Sequence, residues 1–304
     1  DRNKFKVMDK VWSVDAVAKN ASTSFYGNIV SLTESPLVEG LIYVGTDDGL
    51  VQVTEDGGKN WRKIESFPDV PEMTYVSCLY ASQHDANTVY ATFDNHKRAD
   101  FIPYVLVSND RGKSWKSISG DLKEPQVVYS FVQDYIKKDL FFIGTEYGVF
   151  FTNNGGEKWI QLKGNLPTQA VRDLDIQRRE NDLAIATFGR GFYILDNYSL
   201  LRETSEKILT EENYKLFPVK DALMFTKRSA TFSGVGSSFY KADNPPFGAT
   251  FTYYIKEAPK TLRQQRQDKE KELIKNNEPV YYPSFDDLRK EDDEEKPFLL
   301  FTIY

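Results

Sequence analysis

Cysteine and histidine are scarce in this chain of 304 residues, which contains one cysteine and two histidines. The single cysteine, Cys78, excludes a disulfide within the chain. With only His84 and His96 beside it, the sequence lacks the Cys/His cluster that a structural zinc site needs. The acidic run at residues 291–295 lacks the ligand spacing of a calcium loop and reads as a solvated linker. We therefore expect no metal site and no cofactor.

Long apolar runs and an excess of positive charge are absent as well. The longest apolar stretches, such as the one within residues 139–144, are far shorter than the roughly 18 residues of a membrane-spanning helix. The net charge is -6, with 39 basic and 45 acidic side chains, which argues against nucleic acid or an anionic membrane as a partner. The chain starts without a methionine or an apolar leader, and we expect it to be an internal piece of a longer protein.

One octapeptide occurs three times, beginning at Thr54, Ser108 and Thr152, with the pattern Ser/Thr-x-Asp/Asn-x-Gly-x-x-Trp. Each copy follows a β-rich run that contains a sharp turn and reads as a hairpin. One more apolar strand precedes each hairpin, and a short strand follows each tryptophan. A fourth unit, at residues 171–196, keeps the hairpin but lacks the octapeptide. Repeated four-stranded units are typical of propeller blades, so the sequence predicts an all-β protein with about four β-propeller blades.

The octapeptide itself is explicable as a turn between the third and fourth strands of a blade. Its hydroxyl and its Asp side chain can accept backbone N–H bonds, its glycine adopts a backbone angle that other residues avoid, and its tryptophan can pack against a neighbouring strand. Asn154 replaces Asp in the third copy, which favours a structural role because an amide does no acid–base work. We expect structural roles for Thr54, Asp56, Gly58, Trp61, Ser108, Asp110, Gly112, Trp115, Thr152, Asn154, Gly156 and Trp159.

The octapeptide resembles the Asp-box of the bacterial-neuraminidase-repeat propellers, which include sialidases, xyloglucanase-type glycosidases, sortilin-type receptors and photosystem assembly factors. Phrases at residues 44–58, 186–196 and 244–255 are similar to those of large secreted bacterial proteins labelled glycosyl hydrolases, which carry a sortilin-like propeller. The resemblance covers essentially the whole chain. It implies a secreted, periplasmic or cell-surface location, earlier blades before this segment and a β-sandwich after it. Phe188 stands where that group commonly has a histidine.

The blade pattern stops after the fourth unit. We expect propeller blades over residues 1–200, and over residues 201–304 a linker and the beginning of a β-rich, β-sandwich-like domain. Residues 260–277 are rich in Lys, Glu, Gln and Arg and predict a solvated helix or a flexible excursion. Residues 249–255 and 297–304 read as strands, the second of them without a partner in sight.

Polar residues follow the second strand of successive units, and equivalent positions in a propeller converge on one rim near its axis. Glycoside hydrolysis needs two carboxyl groups facing each other across a cleft. The catalytic candidates are Asp47, Asp48, Asp94 and Glu146. The alternative is that these residues belong to hairpin turns, where Asp and Gly are expected anyway.

The second unit differs from the others because residues 95–103 are inserted between its strands. Inserted loops on a rigid scaffold often carry function. The loop offers candidates for binding an anion or a sugar hydroxyl, and a fourth candidate comes from the rim of the last unit: His96, Arg98, Asp100 and Arg190. An ordinary exposed loop is the alternative. The segment Phe101-Ile-Pro103 lacks the arginine of the sialidase signature, which argues against sialidase activity in this segment.

Three functions remain open from the sequence. The first is an extracellular or cell-surface binding or scaffold propeller of a larger multidomain protein, engaging protein or glycan ligands. The second is a glycoside hydrolase whose site is completed by blades outside this chain, and the third is a structural spacer. The expected partners are the remaining blades or domains of the same larger protein, or of another chain, together with the ligand.

Overall fold

Four antiparallel sheets follow one another along the chain, and each corresponds to one unit of the sequence repeat. The computed structural model describes residues 6–7, 9–11, 27–123, 125–204, 206–226 and 247–302. Contacts divide the chain into two units, residues 1–204 and 205–304. The first unit contains the four blade sheets. A short antiparallel pair, β1 (Lys6–Val7) and β2 (Lys10–Val11), precedes them in the sequence.

Each sheet is one propeller blade whose strands pair in sequence order. Blade 1 contains β3 (Ile29–Glu34), β4 (Ile42–Thr46), β5 (Val51–Thr54) and β6 (Arg62–Ile64). Blade 2 contains β7 (Tyr75–Ala81), β8 (Val89–Asp94), β9 (Tyr104–Ser108) and β10 (Lys116–Ser117). Blade 3 contains β11 (Val128–Gln133), β12 (Phe141–Thr145), β13 (Gly148–Thr152) and β14 (Ile160–Gln161). Blade 4 contains β15 (Val171–Gln177), β16 (Asp182–Thr187) and β17 (Phe192–Leu195).

The blades pack face to face through their first strands, because β3 contacts β7, β7 contacts β11 and β11 contacts β15. One hydrophobic core fills each of the three junctions between neighbouring blades. Strand β11 of blade 3 is therefore buried along its whole length, whereas strands β3 and β17 alternate between covered and exposed residues. This alternation is what a sheet shows when only one of its faces is covered.

A buried ion pair joins blade 3 to the 3-10 turn that follows blade 4 (Tyr198–Arg202). Arg202 Nη2 lies 2.8 Å from Asp134 Oδ1, and the Asp134 side chain is fully buried. The Tyr198 hydroxyl donates to the same carboxylate over 2.6 Å. Because Asp134 also accepts the backbone N–H groups of residues 136 and 137, its carboxylate is fully hydrogen-bonded.

The described residues of the second unit form three helices, α1 (Glu206–Glu211), α2 (Leu262–Lys275) and α3 (Phe285–Asp293), and one strand pair, β18 (Tyr214–Leu216) with β19 (Tyr253–Ile255). A capping box at Thr261 starts α2, and an ion pair from Arg266 to Glu291, 2.6 Å long, links α2 to α3. The α2 helix lies in the segment where the sequence predicts a solvated helix or a flexible excursion.

Three sequence-based predictions about local structure were wrong. The acidic run at 291–295 is partly helical, because Ser284 caps α3 and the first turn of α3 carries two aspartates that suit a helix N-terminus. The strand predicted at 249–255 is limited to β19. The strand predicted at 297–304 is not formed over residues 297–302, where no neighbouring strand offers backbone partners among the described residues.

Candidate functional site

The octapeptides form turns in which their hydroxyl and Asp or Asn side chains are hydrogen-bonded within the turn itself. In blade 1 the Thr54 hydroxyl donates to Asp56 Oδ1 over 2.8 Å and accepts the N–H of Gly58 over 2.9 Å. The backbone N–H and the side-chain amide of Asn60, with the Thr54 hydroxyl, lower the pKa of Asp56 to about 2. Such a carboxylate stays ionised and fully engaged, which suits a turn and not acid–base catalysis.

The other two copies repeat this arrangement. Hydrogen bonds from the side chain and the backbone of Ser114, with others from Ser108 and Lys113, lower the pKa of Asp110 to about 2. In blade 3, Asn154 Oδ1 accepts the Thr152 hydroxyl over 2.7 Å and the N–H of Lys158 over 3.1 Å. An amide oxygen therefore makes the same turn as a carboxylate.

The first strand of every blade carries a β-bulge at the same place, where the register with the second strand shifts by one residue. The residues skipped by the register are Val30, Ser77, Tyr129 and Arg172. A bulge turns its side chain out of the regular alternation of the strand. Three of the four line one cavity of about 320 Å³, which we call the bulge cavity and define by its lining residues: Tyr75, Ser77, Asp94, His96, Lys97, Tyr129 and Arg172.

The second strand of each blade ends opposite this bulge, and the residue there pairs with the bulged side chain in blades 3 and 4. The buried Tyr129 donates its hydroxyl to Glu146 in blade 3. In blade 4 the guanidinium carbon of Arg172 lies 5.4 Å from the ring centroid of Phe188. The corresponding residues of blades 1 and 2 are Asp47 and Asp94.

Arg172 also stacks across the junction on blade 3, with its guanidinium carbon 3.8 Å from the ring centroid of Tyr129. Burial, followed by the hydrogen bond to Glu146, raises the pKa of Tyr129 well above its ordinary value, so the phenol stays neutral. Within the part of the chain that the structure describes, the guanidinium of Arg172 has no hydrogen bond and no ion pair. Five N–H donors are thus held in place over an aromatic ring without a polar acceptor.

Asp94 and His96 form a second hydrogen-bonded pair in the cavity. The two carboxylate oxygens of Asp94 lie 2.6 and 2.8 Å from His96 Nδ1, and one also accepts the backbone N–H of His96 over 2.9 Å. The Asp94 side chain is nearly buried, whereas that of His96 is 42% exposed. A carboxylate at Nδ1 favours a proton on that nitrogen. Lys97, the next residue, has no hydrogen-bond or ion-pair partner for its ammonium group within the described ranges.

The remaining sequence-predicted candidates lie outside the lining of the cavity. Asp47 caps the backbone of residues 27 and 28, and Asp48 accepts the Thr46 hydroxyl. Asp100 holds the inserted loop together by accepting hydrogen bonds from Asn95 and Tyr104. Its pKa is lowered, because burial raises the pKa by less than the hydrogen bonds lower it. Arg98 donates to the carbonyl of Glu72 over 2.6 Å. The structure thus brings Asp94 and His96 into the cavity, with Glu146 behind Tyr129, and leaves the exposed Arg190 outside it.

Sequence reasoning missed the bulged residues and Tyr75. Burial and the nearby charges of Asp47 and Asp94 raise the pKa of Tyr75, which keeps this phenol neutral as well. A break in the alternation of the first strands indicates the bulge. Each first strand has Val or Ile, then one variable residue, and after that residue the alternation of buried and exposed positions continues. Aligning the four first strands would have placed Ser77, Tyr129 and Arg172 at one level.

Two classes of site are not formed by the described residues. No three His, Cys, Asp or Glu side chains converge as metal ligands in the described part of the chain. No helix in the segments that the structure describes is long and apolar enough to cross a membrane.

A family model described as sortilin, neurotensin receptor 3, matches residues 103–217, which confirms the resemblance to sortilin-type propellers.

Among solved structures, YCF48 from Cyanidioschyzon merolae is 20% identical with a TM-score of 0.42, covering 55% of this chain and 52% of that chain. A GH74 xyloglucanase from Xanthomonas campestris is 15% identical with a TM-score of 0.45, covering 56% of this chain and 29% of that chain. A YCF48 structure bound to D1 peptide is 16% identical with a TM-score of 0.43, covering 56% of this chain and 51% of that chain. The match thus spans about half of the YCF48 chains and less than a third of the xyloglucanase. No curated protein matches the chain.

Proposed function

We propose that this chain is the ligand-binding part of an extracellular or cell-surface propeller, and that the bulge cavity holds an acidic segment of a protein ligand. One observation carries the proposal: the two permanently charged basic groups of the cavity, Arg172 and Lys97, are free of polar partners among the described residues, while the carboxylate of the cavity and the one behind Tyr129 are engaged. Arg172 and Lys97 have no polar side-chain partner among the described residues. Asp94 is bonded to His96, and Glu146 accepts the Tyr129 hydroxyl.

The residues that line the cavity suit the recognition of a peptide ligand. Its walls combine two neutral phenols, Tyr75 and Tyr129, with hydrogen-bond donors, as binding sites for peptides and small ligands commonly do. The Arg172 guanidinium already lies over the Tyr129 ring, so little side-chain entropy is lost when it binds a carboxylate. The family model that matches residues 103–217 is named after a receptor, which is compatible with a binding role.

Glycoside hydrolysis has less support from the site. The two carboxylates nearest the cavity, Asp94 and Glu146, come from neighbouring blades, but both already accept strong hydrogen bonds. A general acid and a nucleophile or base must be free to contact the substrate, whereas these two carboxylates are already used to hold His96 and Tyr129.

Binding is tested with a hexaglutamate peptide as the probe and a hexaglutamine peptide as the neutral control, by calorimetry at low and at physiological salt. We expect the acidic peptide alone to bind, with an affinity that falls as salt is added. Arg172→Met removes a charged hydrogen bond worth about 1.5–3 kcal/mol, so it weakens binding about tenfold to a hundredfold. Arg190→Met, at an exposed arginine outside the cavity, is the matched control and leaves binding unchanged. Equal affinities for both peptides, or for both variants, would contradict the proposal.

A further inference from the structure

Glu146 lies behind the bulge cavity and is linked to it through Tyr129. The carboxylate of Glu146 accepts the hydroxyl of Tyr129, a residue that is only 8% exposed. The face of the same ring carries the guanidinium of Arg172, with 3.8 Å between the guanidinium carbon and the ring centroid. The lining of the cavity includes Tyr129 and Arg172 but not Glu146. One phenol thus contacts an anion through its hydroxyl and a cation through its ring.

The turn that carries Glu146 holds its backbone in place. The N–H of Glu146 donates to the carbonyl of Val127, the residue before β11, over 3.0 Å. The buried Thr145 hydroxyl donates to the carbonyl of Gly148 over 3.0 Å and accepts the N–H of Tyr147 over 3.2 Å. The carboxylate of Glu146 therefore meets the bulge of β11 from a fixed point at the end of β12.

The equivalent residues of the other blades do not hold a bulged side chain. Asp47 caps two backbone N–H groups in blade 1, and Asp94 bonds His96 in blade 2. In blade 4 the position is occupied by Phe188, which has no carboxylate. In the four blades as the structure describes them, Glu146 is thus the one residue at this position that is hydrogen-bonded to the bulge.

The hydrogen bond from a phenol to a carboxylate has two effects on the ring. Because the acceptor is charged, the bond is strong and fixes the direction of the hydroxyl. The negative charge at the hydroxyl also polarises the ring, which strengthens the attraction between its face and a cation. Since Arg172 has no hydrogen bond and no ion pair in the described part of the chain, the position of its guanidinium depends on this ring.

We infer that Glu146 is a positioning residue of the bulge cavity: it holds the ring of Tyr129, and through that ring it fixes the guanidinium of Arg172 with its N–H donors unoccupied. An effect of Glu146 on ligand binding rests on the proposed function, whereas its effect on the position of Arg172 does not. Glu146 is also a negative charge near a site for an acidic ligand. By charge alone its removal should strengthen binding, and by positioning its removal should weaken binding.

The first measurement needs no ligand. It follows the NMR signal of the Arg172 Nε–H group, which the ring of Tyr129 shifts away from the signal of a free arginine, with the exposed Arg190 as the reference in the same protein. We expect Glu146→Ala to move the Arg172 signal most of the way to that of Arg190. Glu146→Gln keeps an oxygen that accepts the hydroxyl, so the signal stays near its wild-type position. An unmoved signal in Glu146→Ala overturns the inference.

Tyr129→Phe replaces Glu146→Ala if that variant does not fold. It removes the same hydrogen bond and keeps the ring, and we expect the Arg172 signal to move in the same direction. A signal that stays in place in Tyr129→Phe also overturns the inference, because the ring would then hold Arg172 without help from Glu146.

The second measurement is calorimetry with the hexaglutamate peptide. We expect Glu146→Ala to bind it about threefold to tenfold more weakly than the wild type, the effect of losing one hydrogen bond, and Glu146→Gln to restore the affinity to within about threefold. Glu157→Gln, which removes an exposed carboxylate from the same blade, is the matched control and leaves binding unchanged. Tighter binding by Glu146→Ala would show that Glu146 acts through its charge and would overturn the inference. If the wild type does not bind the peptide, the proposed function fails, and the NMR comparison alone decides the role of Glu146.

Discussion

The guanidinium of Arg172, on blade 4, lies over the ring of Tyr129, on blade 3, with 3.8 Å between the guanidinium carbon and the ring centroid. Both residues occupy the bulge of a first strand, and the bulge is what brings them to the same cavity. The contact between blades 3 and 4 therefore fixes the position of the Arg172 guanidinium, which has no polar partner among the described residues. Disturbing either side chain should change ligand binding more than it changes stability.

Arg172→Lys tests the role of stacking separately from charge. Lysine keeps the positive charge but lacks the planar fork that stacks on an aromatic ring and binds a carboxylate through two N–H groups. We expect the hexaglutamate peptide to bind about threefold to tenfold more weakly, by calorimetry, with little change in the melting temperature. Lys97→Arg is the reverse control, in which charge is kept and affinity is unchanged or improved. A lysine variant that binds as well as the wild type would show that Arg172 acts only as a point charge.

The Asp134–Arg202 pair is expected to stabilise the fold, since Asp134→Asn leaves Arg202 largely buried without a charged partner. Breaking a buried pair in this way typically costs about 3–5 kcal/mol of unfolding free energy, measurable by urea denaturation. Glu55→Gln, which removes an exposed partner of Arg111, is the control and should cost less than about 1 kcal/mol. A cost for Asp134→Asn no larger than that of the control would contradict this account.

The same aspartate predicts how stability depends on pH. The pKa of Asp134 lies below its ordinary value. Burial raises this pKa, but the hydrogen bonds from Arg202, from the Lys137 backbone and from Tyr198 lower it by more than burial raises it. A carboxyl with a lowered pKa in the folded state stabilises the fold fully above its unfolded pKa of about 3.9 and loses this contribution as pH falls through the folded value. We expect the difference in unfolding free energy between wild type and Asp134→Asn to be constant above about pH 5 and to shrink below about pH 4. A difference that grows on acidification has the wrong sign for this mechanism.

Asp110 distinguishes a turn from a catalytic group. Asn154 makes the equivalent turn in blade 3, so Asp110→Asn should be nearly neutral, because the amide oxygen still accepts the N–H groups of Lys113 and Ser114. Asp110→Ala leaves those N–H groups without an acceptor and should cost about 1–2 kcal/mol, the usual range for a lost capping residue. Thermal melts of the two variants provide the comparison. Equal losses for Asn and Ala would mean that the negative charge itself is required.

Gly45→Ala tests the close packing between blades 1 and 2. Its Cβ would lie 2.6 Å from Val76 Cγ1, so one of the two strands must shift. Overpacking of this kind costs about 1–3 kcal/mol. The control is the double variant with Val76→Ala, which removes the obstructing methyl groups. We expect the double variant to lose less stability than the sum of the two single variants, and additive losses would show that the two residues do not clash.

Most of the fold could be predicted from the sequence because blades are local structures. The hairpins of blades 1, 3 and 4 have short turns, and each Asp-box carries the hydroxyl, the Asp or Asn side chain, the glycine and the tryptophan that its turn requires. The chain therefore reveals the blade strands from neighbouring residues alone. Helix α3 was missed because its stabilising features, the Ser284 cap and two early aspartates, are weak beside an acidic run that resembles a linker.

The site was predicted only in part, for a physical reason. Asp94 and His96 were found because they end a strand and begin an unusual loop. Arg172 was missed because it reads as an ordinary polar strand residue, and only the shift in pairing with β16 turns it into the cavity. The sequence favours Arg190 for this rim, but Phe188 occupies the equivalent position at the end of the second strand, and Arg190 lies in the turn beyond it. Likewise, the octapeptide predicts a packed Trp61, but its side chain is 45% exposed because its ring contacts only its own turn, at Gly58.

The most direct test of the ligand site is an NMR titration of the protein, labelled with ¹⁵N in its arginine side chains and ¹³C in its tyrosine rings, with the hexaglutamate peptide. The account predicts that the signals of Arg172 and Tyr129 shift first and saturate together, while those of Arg190 and Arg98 stay in place. Shifts confined to exposed basic groups elsewhere, such as the arginines of helix α2, with Arg172 and Tyr129 unchanged, would contradict it.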